Sequence, residues 1–143
     1  MNNPNPTSQT LLVVAALIQQ QDRILIQQRP PGSWMEGYWE FPGGKVHAGE
    51  DPRKALEREL LEELGVRCAV GEIEETIHHV YPEKTVLLLF YWCEILEGKT
   101  EGLEGQAIEW KPIRNLEEVE ILPADLPLVE RFAKGAVLMR RGK

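Results

Sequence analysis

Basic side chains are the first shortage: 16 Lys and Arg stand against 23 Asp and Glu, a formal charge of −7 at pH 7. Duplex DNA and RNA need a basic footprint to neutralise their phosphates, so this balance argues against a nucleic-acid polymer as partner. A single nucleotide stays open, because a bound cation turns an acidic cleft into a phosphate site. Cysteine is scarce as well. Cys68 and Cys93 lie in apolar stretches and form no C-x-x-C pair, which suits reduced thiols in a reducing compartment and not a disulfide framework. No apolar run approaches the ~20 residues of a membrane span, and the N-terminus has no basic region leading into an apolar one. The expectation is a cytoplasmic protein that meets no membrane. Internal repeats, low-complexity tracts and linkers are missing too, so 143 residues, 43% of them hydrophobic, read as one domain with a core.

What the chain does have is concentrated between Gly44 and Val66, GKVHAGEDPRKALERELLEELGV. Asp51 followed by Pro52 is a helix-start signal, an N-cap carboxylate and then a ring that presets φ. Gly65 tolerates positive φ just past the other end, so the spacing predicts a helix from Pro52 to Leu64. At about 100° per residue Leu56, Leu60, Leu61 and Leu64 gather on a core side, and Glu59, Glu62 and Glu63 gather opposite with Ala55 among them. Carboxylates at i, i+3 and i+4 repel by a few tenths of a kcal/mol per pair. Arg58 pairs with Glu62 one turn on, but one guanidinium does not neutralise three acids. An oxygen-only cluster selects a hard divalent cation, Mg²⁺, Mn²⁺ or Ca²⁺. The competing reading is a solvated acidic face. Against it stand the paired glycines Gly43-Gly44 at the entrance, which permit close backbone approach to a metal or phosphate.

Residues 1–9 lack periodicity and read as a mobile leader, with the domain over 10–138 and a basic tail over 139–143. The runs Thr10 to Ile18 and Arg23 to Gln28 predict two buried strands around a turn. Arg29-Pro30-Pro31-Gly32 opens a loop that continues through Trp34 and Met35 to Tyr38, bordering the Gly44 stretch. Arg67 to Val80 and Thr85 to Leu96 read as strands joined by a turn near Tyr81-Pro82-Glu83-Lys84. Gly98 to Gly105 is a loop, Ala107 to Pro112 a strand, and Leu116 to Val119 a helical turn. A last helix is expected over Ala124 to Ala136. His78 and His79 are adjacent, so on a strand they face opposite ways, and both are given structural or surface roles.

The spacing Gly44, Glu50, Arg58, Glu59, Leu60, Glu62, Glu63, Gly65 and Val66 resembles the Nudix box of the Nudix hydrolases, metal-dependent enzymes that cleave nucleoside diphosphates linked to another group. The resemblance implies an α/β/α sandwich with a mixed β-sheet and a loop-helix-loop box. It implies Mg²⁺, with Mn²⁺ as substitute, on Glu59, Glu62, Glu63 and the Gly44 carbonyl. Arg58 and Glu50 would orient the box, with Gly43 and Gly65 supporting it. Ionised carboxylates are acceptors only, and reference pKa values near ~4.3 leave these glutamates so at pH 7.

From Leu11 to Phe132 the chain is also similar to the MutT branch, nucleoside triphosphate pyrophosphohydrolases. The likeness lies in Gly37 to Lys45, the box, Glu104-Gly105-Gln106 ahead of Glu109-Trp110, and Pro123 to Leu128. It implies that Glu104 is a further metal ligand or the base that activates water, and that Arg29 and Lys45 neutralise phosphates. The implied products are a nucleoside monophosphate and pyrophosphate. Where that branch reads 8-oxoguanine with an asparagine, this chain has Asp125, and relatives that prefer CTP and methylated cytosine nucleotides carry a similar Pro-Ala-Asp stretch. An ionised Asp125 would take two hydrogens from a guanine edge or one from the cytosine amino group; its plainer role is a charge at a helix N-terminus. The leading expectation is an Mg²⁺-dependent nucleoside triphosphate hydrolase, monomer or weak homodimer, with 8-oxo-dGTP sanitation as one task and CTP hydrolysis as the alternative. A non-catalytic nucleotide-binding module is disfavoured because all four glutamates are present.

Overall fold

The computed structural model describes residues 9–135; residues 1–8 of the expected leader, residues 136–138 and the expected tail over 139–143 lie outside them. The strand that orders the rest is β1 (Thr10–Gln20), every residue of which is buried from Val14 to Ile18. A strand covered on both faces has no polar side to show, which is why the run is apolar without alternation. Ala15 and Leu17 enter one core, Val14, Ala16 and Ile18 the other.

Along one side of β1 runs β6 (Thr85–Glu97) in parallel, in register from Thr10 with Thr85 to Ile18 with Cys93. Strand β5 (Arg67–Val80) then pairs antiparallel with β6 and forms the sheet edge. Along the other side lie β4 (Gly43–Lys45), antiparallel to Val13–Ala15, and β2 (Arg23–Gln28), reached through a turn with Gln21 at φ 58°. Beyond β2 are β3 (Trp39–Glu40) and β7 (Ile108–Pro112). One parallel pair among antiparallel neighbours makes the sheet mixed. Helices α1 (Pro52–Leu64) and α2 (Leu126–Ala133) cover its two faces, giving the α/β/α sandwich expected.

Helix α1 has the bounds the sequence predicts. The Asp51 carboxylate accepts from the N–H groups of Arg53 and Lys54, both at 3.1 Å, and Gly65 closes the other end at φ 75°. Its core row is Leu56, Leu60 and Leu64, all fully buried, and each such side chain contributes about 1.5–3 kcal/mol. Two expectations about its faces need correction. Leu61 is 51% exposed, because the 100° step past Leu60 carries it beyond the edge of the core. The acids are not opposite the core either. Ala55, Glu59 and Glu63 form an i, i+4, i+8 row immediately beside the leucines, so Ala55 is fully buried and Glu59 and Glu63 are half-buried, while Glu62 stays exposed.

The last helix starts later than expected. Pro127 has no N–H to give the Pro123 carbonyl, so Pro123–Asp125 is a 3₁₀ turn and α2 begins at Leu126. Residue 136 of the expected span lies outside the described residues. The turn expected over Leu116 to Val119 is a 3₁₀ segment over Ile113–Glu118, which buries Ile113 and Leu116 at its i, i+3 spacing.

Candidate active site

The chain leaves β2, turns through the 29–38 loop and β3, and returns to β1 as β4, where two glycines are needed for different reasons. A Cβ on Gly43 would overlap the Val14 carbonyl oxygen of β1. One on Gly44 would stand 2.5 Å from Glu59 Oε1, so the bare backbone of Gly44 lies directly against that carboxylate. Arg58 fastens the assembly. Its guanidinium donates to both oxygens of Glu50, at 2.9 and 3.0 Å, to Glu59 Oε2 at 3.0 Å, to Glu62 Oε1 at 3.4 Å and to the Lys45 carbonyl at 3.1 Å. Those bonds, with the His47 N–H, hold the Glu50 carboxyl down at about 2. Glu50 and Arg58 thus tie β4 to the face of α1 that carries the acids.

Glu63, one turn beyond Glu59 and farther into the fold, is the perturbed acid. Burial pushes its carboxyl up to about 9, reinforced by its hydrogen bond to Glu59, by the Glu59 charge and by Glu104. The sequence-based expectation of an acceptor-only glutamate at pH 7 is therefore corrected for Glu63, which burial and the crowding acids beside it keep protonated while no cation is bound. A divalent cation relieves the same crowding, and the oxygen-only donors fit Mg²⁺ or Mn²⁺. Glu104 approaches from the 98–105 loop, which is pinned to the end of α1 by Glu101 N donating to Leu64 O and Leu103 N to Glu63 O. Glu62 stands apart, 54% exposed and turned toward Arg58. Among the described residues no group of three acidic, histidine or cysteine side chains is arranged as a ready-made metal site.

A cavity of about 440 Å³ runs from Glu63 and Glu104, past Gly44 and Lys45, to Asp125. Asp125 is brought there by long-range backbone pairing. Trp39 N donates to Glu120 O, Leu122 N to Trp39 O, and Ala124 N to the Tyr81 hydroxyl, so the 120–125 segment is strapped beside β3. Its carboxyl is 3% exposed and accepts from Phe41 N at 3.1 Å through Oδ2. It makes no capping bond to α2. Burial, then the nearby Glu40, pushes it up to about 8, so the expectation of an ionised Asp125 is also corrected: near pH 7 the group is mostly neutral and can donate as well as accept.

Arg29 lines the cavity with its guanidinium engaged by Glu40 at 3.3 Å and by the Trp34 carbonyl at 2.9 Å. Lys45 lines it with an exposed side chain. A third cation lines the cavity from what the sequence marks only as a turn: Lys84, whose Nζ lies 3.7 Å from the Trp34 ring centre. Burial lowers its affinity for a proton, and Lys45 and Arg29 lower it further. Gln27 and Glu40 line the cavity as well, though nothing local marks a glutamine late in an apolar strand or a glutamate in a two-residue strand as part of a site. Gly65 supports the box as a helix terminator, remote from the carboxylates.

A mixed sheet lies between two helices, and a glycine-containing strand faces a helix row of carboxylates, the layout of a cation and phosphate site. The NUDIX domain family model matches residues 13–131, and the chain belongs to that family. It is 38% identical over 120 residues to the CTP pyrophosphohydrolase of Escherichia coli strain K12, covering 84% of this chain and 89% of that protein. It is 31% identical over 123 residues to the 8-oxo-dGTP diphosphatase of the same strain, covering 86% and 95%. Among solved structures the Escherichia coli ORF135 protein superimposes with a TM-score of 0.77 at 33% identity, covering 97% of this chain and 99% of that one. The protein is an enzyme, a pyrophosphohydrolase of the Nudix family.

Proposed function

We propose that the enzyme hydrolyses (deoxy)nucleoside triphosphates to a nucleoside monophosphate and pyrophosphate in the presence of Mg²⁺, and that 8-oxo-dGTP is the substrate it removes. The observation that carries this reading is the continuity of one cavity from Glu63 and Glu104 to buried Asp125, with Arg29, Lys45 and Lys84 along it. A polyphosphate calls for cations along its length, and a base calls for an enclosed wall with few, well-placed polar groups. Glu59, Glu63, Glu104 and the Gly44 carbonyl, with Glu62 from the outer side of α1, would hold the cation. When bound, such an ion supplies Lewis acidity at a phosphoryl oxygen and makes water acidic enough to attack near neutral pH. Arg58 and Glu50 keep the α1 carboxylates aimed at β4. Glu104, brought in on its loop, takes the proton of the attacking water or completes the oxygen set. The water oxygen bonds to the β-phosphorus and ends in pyrophosphate. The bond from the β-phosphorus to the α,β-bridging oxygen breaks, and that oxygen leaves with the monophosphate.

At the far end, neutral Asp125 donates to the 6-oxo group of a guanine-type base while Oδ2 remains with Phe41. A second reading, CTP hydrolysis, is favoured by the 38% identity to a CTP pyrophosphohydrolase, because the same acid can donate to the ring nitrogen of cytosine. The deciding experiment is a panel of 8-oxo-dGTP, dGTP, CTP, 5-methyl-dCTP and ADP-ribose with Mg²⁺, compared by kcat/KM. The expected result is 8-oxo-dGTP at least ~10-fold above dGTP. CTP or 5-methyl-dCTP at the top selects the second reading, and ADP-ribose at the top, or turnover undiminished by EDTA, rejects both.

A further inference from the structure

Two buried glutamines join the halves of the carboxylate site. Gln27, at the end of β2, is 6% exposed and Gln106, between the 98–105 loop and β7, is 7% exposed. Gln27 Nε2 donates to Glu63 Oε1 at 3.3 Å, and Gln27 Oε1 accepts from Gln106 Nε2 at 3.2 Å. Gln106 Nε2 also donates to the Glu63 carbonyl at 3.1 Å, while Gln106 Oε1 accepts from the Glu104 N–H at 2.9 Å. We propose that Gln27 and Gln106 are positioning residues, a buried amide relay that sets the distance between Glu63 on α1 and the loop bearing Glu104. The proposal rests on the reading of these carboxylates as the cation site.

The relay has a sense that chemistry imposes. A carboxylate oxygen that accepts must be met by the amide nitrogen, which turns the Gln27 oxygen back toward Gln106. That oxygen needs a donor, so Gln106 presents nitrogen to it and oxygen to the Glu104 N–H. Reversing either amide would set oxygen against oxygen in a buried place, at the cost of an unmade bond. A lone pair of buried amides has no packing advantage over leucine, so the arrangement needs a reason other than filling space. The loop itself is gripped tightly there: a Cβ on Gly102 would overlap the Gln106 carbonyl oxygen. The loop is bonded to the end of α1 through Glu101 N and Leu103 N, and Gln28 N donates to the Ala107 carbonyl just past Gln106, so Gln106 to Gln27 is the side-chain link that ties the Glu104 end of the loop to both β2 and Glu63.

The test uses Gln27→Met, Gln106→Met and the double variant, in the full chain. Mn²⁺ affinity is measured without nucleotide by paramagnetic resonance, alongside kcat and KM with saturating Mg²⁺ and the melting temperature. Each single variant should weaken Mn²⁺ binding by ~10-fold and lower kcat by a similar factor, with KM changed by less than about twofold. The double variant should be no worse than the poorer single, because both break one chain of bonds. Additive losses, or a lower melting temperature with unchanged Mn²⁺ affinity and kcat, overturn the relay. Wild-type enzyme that binds no Mn²⁺ and works in EDTA overturns the cation reading along with it, an outcome distinct from a metal-dependent wild type whose variants match it. Should the methionine variants not fold, nitrogen-resolved spectra of the wild type decide: Mg²⁺ should shift the side-chain amides of Gln27 and Gln106 together with the Glu104 N–H, and their indifference overturns the proposal.

Discussion

Asp125→Asn tests the base end of the cavity through two independent readouts. Burial and Glu40 hold the wild-type carboxyl near 8, so roughly nine-tenths of it is protonated at pH 7 and nine-tenths ionised at pH 9. If the neutral acid reads the base, kcat/KM for 8-oxo-dGTP should fall above about pH 8, approaching tenfold per pH unit. Asparagine keeps a donor and an acceptor at every pH, so the variant should stay level to about pH 9.5. Stability gives the second readout, with its own sign. The folded value lies above the ordinary 3.8, so folding takes up a proton; the stability this lends is full below about pH 4 and is lost as pH rises toward 8. The slope is about 1.4 kcal/mol per pH unit for a group that is fully titrated in the unfolded chain. Over the whole window the loss approaches about 6 kcal/mol, comparable to the entire stability of a small domain, so it is an upper bound. The difference between wild-type and variant unfolding free energies, by urea titration in EDTA from pH 5 to 8, isolates Asp125 from Glu63 and Glu40, which carry the same sign. An alkaline limb that persists in the variant, together with a flat stability difference, would refute a neutral Asp125.

Glu63→Gln should lower kcat with Mg²⁺ by about 10²-fold or more while the metal-free protein at pH 7 melts no lower than wild type, since the carboxyl is already protonated there; near-normal turnover contradicts the cation assignment. In Gly44→Ala the new methyl displaces the end of the Glu59 side chain, which Arg58 holds at 3.0 Å. The fold should survive, as seen by circular dichroism, with Mn²⁺ affinity down ~10-fold; unchanged affinity means that the Gly44 contact is not part of the site. Isotopically labelled water should leave its oxygen in pyrophosphate, and mass spectrometry that finds the label in the monophosphate places the attack at the α-phosphorus instead.

Helix α1 was legible to the residue because its limits are local chemistry: the Asp51 carboxylate over its own first turn, Pro52, and Gly65 in a left-handed conformation. The long strands were legible, β1 because two-sided burial strips it of polarity, but the short β3 and β4 were not, since two and three residues become strands only through pairing with β2 and β1. Glu59 and Glu63 stood out by their spacing on the helix, and Glu104 and the Gly44 carbonyl became candidates through the family resemblance, but their states were not legible. That Glu63 and Asp125 hold protons follows from burial and from the carboxylates the fold brings near each, Glu59 and Glu104 for one and Glu40 for the other. Leu61 shows the same limit on a smaller scale, since a helical wheel ranks angles while only the packed sheet decides where the core stops.

Lys84 and Gln27 carry the point furthest. Each is an ordinary residue for its place, a lysine in a hairpin turn and a glutamine at a strand end, and each acquires a role from partners distant in the chain: Trp34 for one, Glu63 and Gln106 for the other. Residues that supply the reacting oxygens must have a fixed type and spacing, so they leave a pattern. Residues that hold those oxygens in place need only end up within hydrogen-bond reach, and many sequences satisfy that demand. The supporting polar groups of this site therefore had to be found in three dimensions, and they are where two Nudix enzymes with the same box can differ in metal affinity and rate.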